Sequence, residues 1–297
     1  MSPNFERETN RVNARAAIQF VVYGGAIPAV AAVAAFWAMG RWWPRDAARR
    51  YQAGMSFAAA VVVGLICLPS TKTLAPTQFW EWIPYLGLVA ALVSGITSAA
   101  GVMRGERWTA VYLFAVVAAW LLVPKWPELS PPWPIHVATA AAAIITITAL
   151  LSQIPDRLRG QAFPAWLTIT AACSSVLVLS EVSETFGMLA ALPSGALFGC
   201  SVAAWLQKSP ADWRSIAMPF TVVVGGYAYL GAVYPTSPIW PMVLIPAVPL
   251  SLCVSYWGPL QRVEKNWALV NQGVCIVAAI IAIVVMILLR SGMGDAW

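Results

Sequence analysis

Apolar residues gather in ten runs, near 17–39, 51–69, 82–103, 108–123, 135–152, 164–182, 186–206, 215–233, 239–257 and 268–290. A helix that crosses the apolar core of a bilayer needs about 20 residues at 1.5 Å each, and the runs are close to that length. The weakest is WTAVYLFAVVAAWLLV, residues 108–123. No polar stretch between runs exceeds about a dozen residues, which leaves no room for an inserted soluble domain. The pattern predicts an all-α fold: a polytopic transmembrane bundle of about ten spanning helices, one integral membrane domain over 1–297 with a basic segment at 1–16. The first run is too long for the apolar core of a cleavable signal peptide.

Composition agrees, with 60% hydrophobic and 10% charged residues. So few charges cannot clothe a soluble domain of this size. The net charge of +6 does not point to nucleic acid, because the basic residues form short clusters between apolar runs rather than a stripe or tail. The membrane surface is the partner such clusters suit.

The clusters also orient the chain, since short cytoplasmic loops retain Lys and Arg. One side collects Arg41, Arg45, Arg49, Arg50, Arg104, Arg107, Arg157, Arg159, Lys208, Arg214, Arg262 and Lys265. The other has Arg7, Arg11, Arg15, Lys72, Lys125 and Arg290. Twelve against six places both termini outside the cytoplasm, in what reads as a bacterial inner membrane. The spacing of Arg7, Arg11 and Arg15 works against this: on a helix it makes a basic stripe of the kind anionic lipid attracts. Should the orientation fail, the run at 17–39, with Gly24, Gly25 and Pro28, is the segment expected to re-enter rather than span.

The outer connections TQFWEWIPY, VPKWPELSPPWPIH and YPTSPIWPM are rich in Trp and Pro. Trp rings sit at the headgroup level in an aromatic belt, and Trp is also enriched in protein interfaces. Sixteen Trp residues exceed the needs of one belt, so a protein partner at these loops is a second expectation beside membrane lipid.

Catalytic chemistry is sparse. Cys67, Cys173, Cys200, Cys253 and Cys275 lie inside the apolar runs without metal-ligand spacing, and His136 is the lone histidine. No nucleophile elbow, acidic motif or cofactor fingerprint appears. The sequence therefore predicts no enzyme, no metal and no cofactor. Every Asp, Glu, Lys and Arg falls at a helix end or in a loop, which argues against proton coupling through carboxylates at mid-bilayer.

Two groups of residues remain as site candidates. Glu181 and Glu184 lie where helix 6 meets helix 7. Counted from Pro164, Glu181 is about 25 Å along its helix, near the far interface, and Ser183 can cap the next helix with Glu184 in its first turn. The pair reads as the tip of a hairpin. Alternatively, Ser174 and Glu181, seven apart on one face, would line an outer mouth with Glu184.

The second group is formed by interrupted helices: Pro193, Ser194 and Gly195 in one, Pro246 and Pro249 with Ser251 in another, beside Tyr227 and Tyr229. Proline frees a carbonyl that lipid cannot satisfy. Such breaks either kink a helix or line a substrate cavity, and one shared cavity is the sharper expectation. Gly195 and Gly199 form a G-x-x-x-G, and Asn271 and Gln272 suit bonding between helices. VAAWL at 117–121 recurs at 202–206, without matched interruptions that would make it a repeat. The function these features predict is a permease or facilitator for a small neutral or lipid-like solute. The alternative is a non-catalytic subunit that anchors or assembles a larger membrane complex.

Overall fold

The computed structural model describes residues 17–43, 45–69, 76, 78–97, 104–127, 129–155, 162–207, 212–235, 239–256 and 268–294. Among them ten helices follow one another with no strand: α1 (Ala17–Trp42), α2 (Arg45–Cys67), α3 (Trp82–Thr97), α4 (Arg104–Leu122), α5 (Trp133–Leu151), α6 (Ala162–Glu181), α7 (Glu184–Gln207), α8 (Ala217–Val233), α9 (Trp240–Tyr256) and α10 (Ala268–Gly294). Eight are long and apolar enough to cross a bilayer, while the apolar stretches of α4 (Trp108–Leu122) and α9 (Trp240–Val254) are shorter. The molecule is a multi-pass membrane helix bundle. The basic segment at 1–16, with Arg7, Arg11 and Arg15, and the loops bearing Arg157, Arg159, Lys208, Arg262 and Lys265 lie outside the described residues.

The core is built around α8. Sixteen of its seventeen residues are buried, Gly225 being the exception, so it is a hub with apolar neighbours on every side. Against it pack α2, α3, α5, α9, α6 and α7, with α1 seated outside α2 and α7, α4 outside α3 and α5, and α10 outside α9 and α6. Small residues allow close approach: Gly87 of α3 faces Val223, and Gly231 of α8 stands between Met242 and Val178. Packing of small residues, rather than a hydrophobic drive, is what holds helices together in lipid.

Two helices depart from α geometry. In α1, Phe20–Ala26 winds as a π segment, yet the helix runs unbroken to Trp42, as a span rather than a re-entrant hairpin. Helix α9 is wound throughout as a 3₁₀ helix, where the proline pair suggested a kink. An α-helix would drive the rings of Pro246 and Pro249 into the carbonyls of Met242 and Ile245. Winding at three residues per turn removes that collision and eclipses residues three apart. The burial follows: Met242, Ile245 and Val248 form one buried row and Pro246, Pro249 and Leu252 another, while Trp240, Leu244 and Val254 are exposed. Its 17 residues at a rise of about 2.0 Å reach about 34 Å, a length that 15 apolar residues of α-helix would not give.

Candidate functional site

The connections α2–α3, α4–α5, α6–α7 and α8–α9 meet at one end of the bundle, where five aromatic side chains close into a ring. Phe79 meets Trp126 edge-on with centroids 5.6 Å apart, and Trp126 meets Tyr234 at 6.0 Å. Tyr234 lies 4.8 Å from Phe186, and Phe186 meets Trp80 at 5.8 Å. Phe79 and Trp80 are chain neighbours, so the circuit is complete. Edge-to-face pairs of this kind each add about 0.5–1.5 kcal/mol beyond burial. Beside the ring, Trp120 and Trp133 pack at 4.4 Å, with the Lys125 ammonium 5.1 and 5.5 Å from their centroids. The Trp133 indole N–H donates to the Val123 carbonyl at 3.2 Å. Phe186 is buried, Phe79 and Trp80 are half-buried, and Trp126 and Tyr234 are exposed. These rings are cross-braced by one another, unlike belt residues that each face lipid alone.

Beneath the ring lies a polar node. His136, near the start of α5, is buried, and its Nδ1 shares a hydrogen bond with the Tyr229 hydroxyl at 3.1 Å. The imidazole stacks on Trp240 with centroids 5.4 Å apart. Its Nε2 has no protein partner among the described residues. Below Tyr229 a cleft of about 60 Å³ runs between α5, α8 and α9, lined by Ala140, Ile144, Thr221, Gly225 and Pro246. Ligand pockets are typically about 300–1,000 Å³, so in this conformation the cleft admits a few waters and no larger solute.

The structure divides the cavity candidates. Tyr229 and Pro246 line the cleft. Tyr227, one position round α8 from Gly226, is fully buried and its hydroxyl has no protein partner among the described residues, nor has the hydroxyl of Ser251. Pro249 is buried on α9. Gly195 stands elsewhere, on the face of α7 that packs against α1, while Pro193, two positions before it in a helix that runs unbroken, is buried on a different face. A Cβ on Gly195 would overlap the Gly25 carbonyl oxygen, and one on Gly199 the Ala29 carbonyl oxygen. The Ser194 hydroxyl turns back to the Ala191 carbonyl at 2.7 Å. The G-x-x-x-G of Gly195 and Gly199 is thus the docking strip for α1, whereas Pro246 packs on Gly225 of α8.

The mouth candidates separate as well. Ser174 is buried against Ile245, Val248, Ile280 and Ile283 of α9 and α10. Glu181 ends α6, Glu184 begins α7, and both are exposed. The Ser183 hydroxyl accepts from the Phe186 N–H at 3.3 Å, the cap expected of a hairpin tip. Replacing both carboxylates by glutamine is expected to change unfolding free energy by less than about 1 kcal/mol, the scale of a helix-dipole contribution. Chemical denaturation in micelles measures it, and a loss well beyond that would mean the carboxylates are engaged inside the protein.

Sequence reasoning passed over two polar contacts. The Gln52 amide donates to the Phe36 carbonyl at 2.7 Å and to Gln207 Oε1 at 3.2 Å, tying α2 to α1 and α7. His136 was readable only as a lone interfacial histidine, because its partners come from α8 and α9. The Gln272 expectation holds, since the Trp166 indole donates to its Oε1 at 3.1 Å. Among the described residues no group of three or more His, Cys, Asp or Glu could hold a metal ion.

The fold defines a class, the polytopic helical membrane proteins. No protein-family model, no curated protein and no solved structure matches the chain.

Proposed function

We propose that the protein is a non-catalytic membrane subunit with ten spanning helices that docks a partner protein on its aromatic face. The closed ring of Phe79, Trp80, Trp126, Phe186 and Tyr234 carries this reading. Trp and Tyr dominate interface hot spots, and side chains already locked by neighbours lose little entropy when a partner arrives. With both termini and this face outside a bacterial inner membrane, the partner is an extracytoplasmic domain or the outer segment of another membrane protein. A permease for a small neutral solute draws its support from one place, the cleft under Tyr229, His136 and Pro246. Of the two proline-bearing segments that favoured it, the one in α7 runs on as an unbroken helix whose Gly195 and Gly199 are taken up by α1.

Native mass spectrometry of gently extracted protein tests the choice. A stoichiometric partner is expected, and Trp126→Ala should weaken its retention by about thirty-fold, the scale of a hot-spot truncation, while the melting temperature of the isolated variant shows that the bundle is intact. A bare monomer or homodimer in the wild type, with solute flux in vesicles, would favour the permease.

A further inference from the structure

We infer that the furrow between α1 and α7 is a binding site for an anionic phospholipid. The furrow measures about 450 Å³ and its lining is apolar apart from Gln207. Small residues make its floor, with Gly199 and Ala203 buried and Ala29 half-buried. Val30, Trp37, Phe198 and Leu206 stand exposed along its rims. A chain-shaped apolar occupant fits a trough of this section, whereas a folded solute does not.

Length and charge identify the occupant. From Ala29 to Trp37 along α1 is about 12 Å, and from Phe198 to Gln207 along α7 about 13 Å, at 1.5 Å per residue. One leaflet of hydrocarbon is about 15 Å deep, so the furrow spans a single leaflet. It begins near the Gly199–Ala29 contact and opens toward the end of the bundle where α1 and α7 both finish. There the row Val30, Ala34 and Trp37 continues, at helical spacing, to the exposed Arg41. Arg41 therefore stands one turn beyond the apolar lining, at headgroup depth. Gln207 closes the same end: its Oε1 accepts from Gln52, which leaves its amide N–H₂ group as the donor there. An acyl chain in the trough, a phosphate against the guanidinium and a donor beside it make one complementary site. A zwitterionic lipid would fill the trough equally well and lose the net attraction, worth about a factor of five per basic side chain at the membrane surface.

The site is independent of the aromatic face at the opposite end, and so is its test. Delipidated protein in micelles is offered equal amounts of phosphatidylglycerol and phosphatidylcholine, and bound lipids are counted by native mass spectrometry. The wild type should retain one phosphatidylglycerol in preference. Arg41→Gln should reduce that preference about five-fold while lipid still binds, and Ala34→Trp, which fills the trough, should abolish retention of both. A photoreactive phenylalanine analogue in place of Leu206, on the exposed rim, should give an adduct of lipid mass in native membranes. Equal retention of the two lipids by the wild type, retention unaffected by Ala34→Trp, or an adduct with a polypeptide would overturn the site, the last by assigning the furrow to another helix.

Discussion

Gly199→Val is expected to lower unfolding free energy by about 3 kcal/mol, the upper part of the range for overpacked interiors, and to loosen α1 from the rest of the bundle. The usual remedy for an oversized side chain, rotation of a neighbour, does not exist here. The atoms a Cβ would meet are the carbonyl oxygen, carbonyl carbon and Cα of Ala29, all backbone. One turn earlier Gly195 faces the Gly24 and Gly25 backbone in the same manner, so α1 can yield only by moving as a body. The dispersion attraction between the two helices is then forfeited along the whole strip, and lipid entering the gap would not restore it, since it would face two polar backbones. Denaturation in mixed micelles reads the loss, and Val21→Leu, exposed on the same helix and outside the furrow, serves as the control. A Gly199→Val protein as stable as that control would show that α1 and α7 are not in backbone contact.

At Tyr227 the sign of the change depends on the replacement. The side chain is fully buried, and its hydroxyl finds no protein partner among the described residues. A buried unsatisfied hydroxyl costs about 1–3 kcal/mol. Tyr227→Phe keeps the ring and removes that cost, so stability should rise, by about 1 kcal/mol. Tyr227→Ala removes the ring from the hub helix and should cost about 3–5 kcal/mol, as large-to-small changes at buried aromatic positions do. Measured side by side, the two variants separate packing from polarity. If the phenylalanine variant is instead less stable, the hydroxyl is engaged within the membrane, and the centre of α8 becomes the place to seek a bound solute.

The positions of the helices were legible because lipid imposes a single demand, a long apolar run, on each of them. Even the cap at Ser183 could be read, since it depends on residues a turn apart. The winding of α9 could not. Its prolines are plain in the sequence, but they specify only that α geometry is disfavoured, and the choice between a kink and continuous three-residue winding is made by the neighbours that bury Met242, Ile245 and Val248. Likewise Pro193 and Pro246 were visible as candidate interruptions, while α7 runs unbroken through Pro193 and what each proline faces depends on which helix lies alongside. The G-x-x-x-G at Gly195 and Gly199 was indistinguishable from the background of small residues until α1 was seen against it. The aromatic ring was half legible: the Trp-rich loops stood out, but Phe186 and Tyr234 join them only because four connections converge.

The hub position of α8 also constrains how the molecule is made. A chain emerges from the ribosome N-terminus first, so seven helices are in the bilayer before the one around which they pack. At that stage Ile83 and Gly87 of α3 and Val178 of α6, which meet α8 in the finished protein, border a vacancy that lipid must occupy. The seam between α5 and α6 is likewise open, because the helix that bridges it, α9, is still to come. Insertion of α8 through α10 is then the step that expels lipid from the centre and seals the wall, and a nascent chain halted at Gln207 would be an open crescent in need of a chaperone.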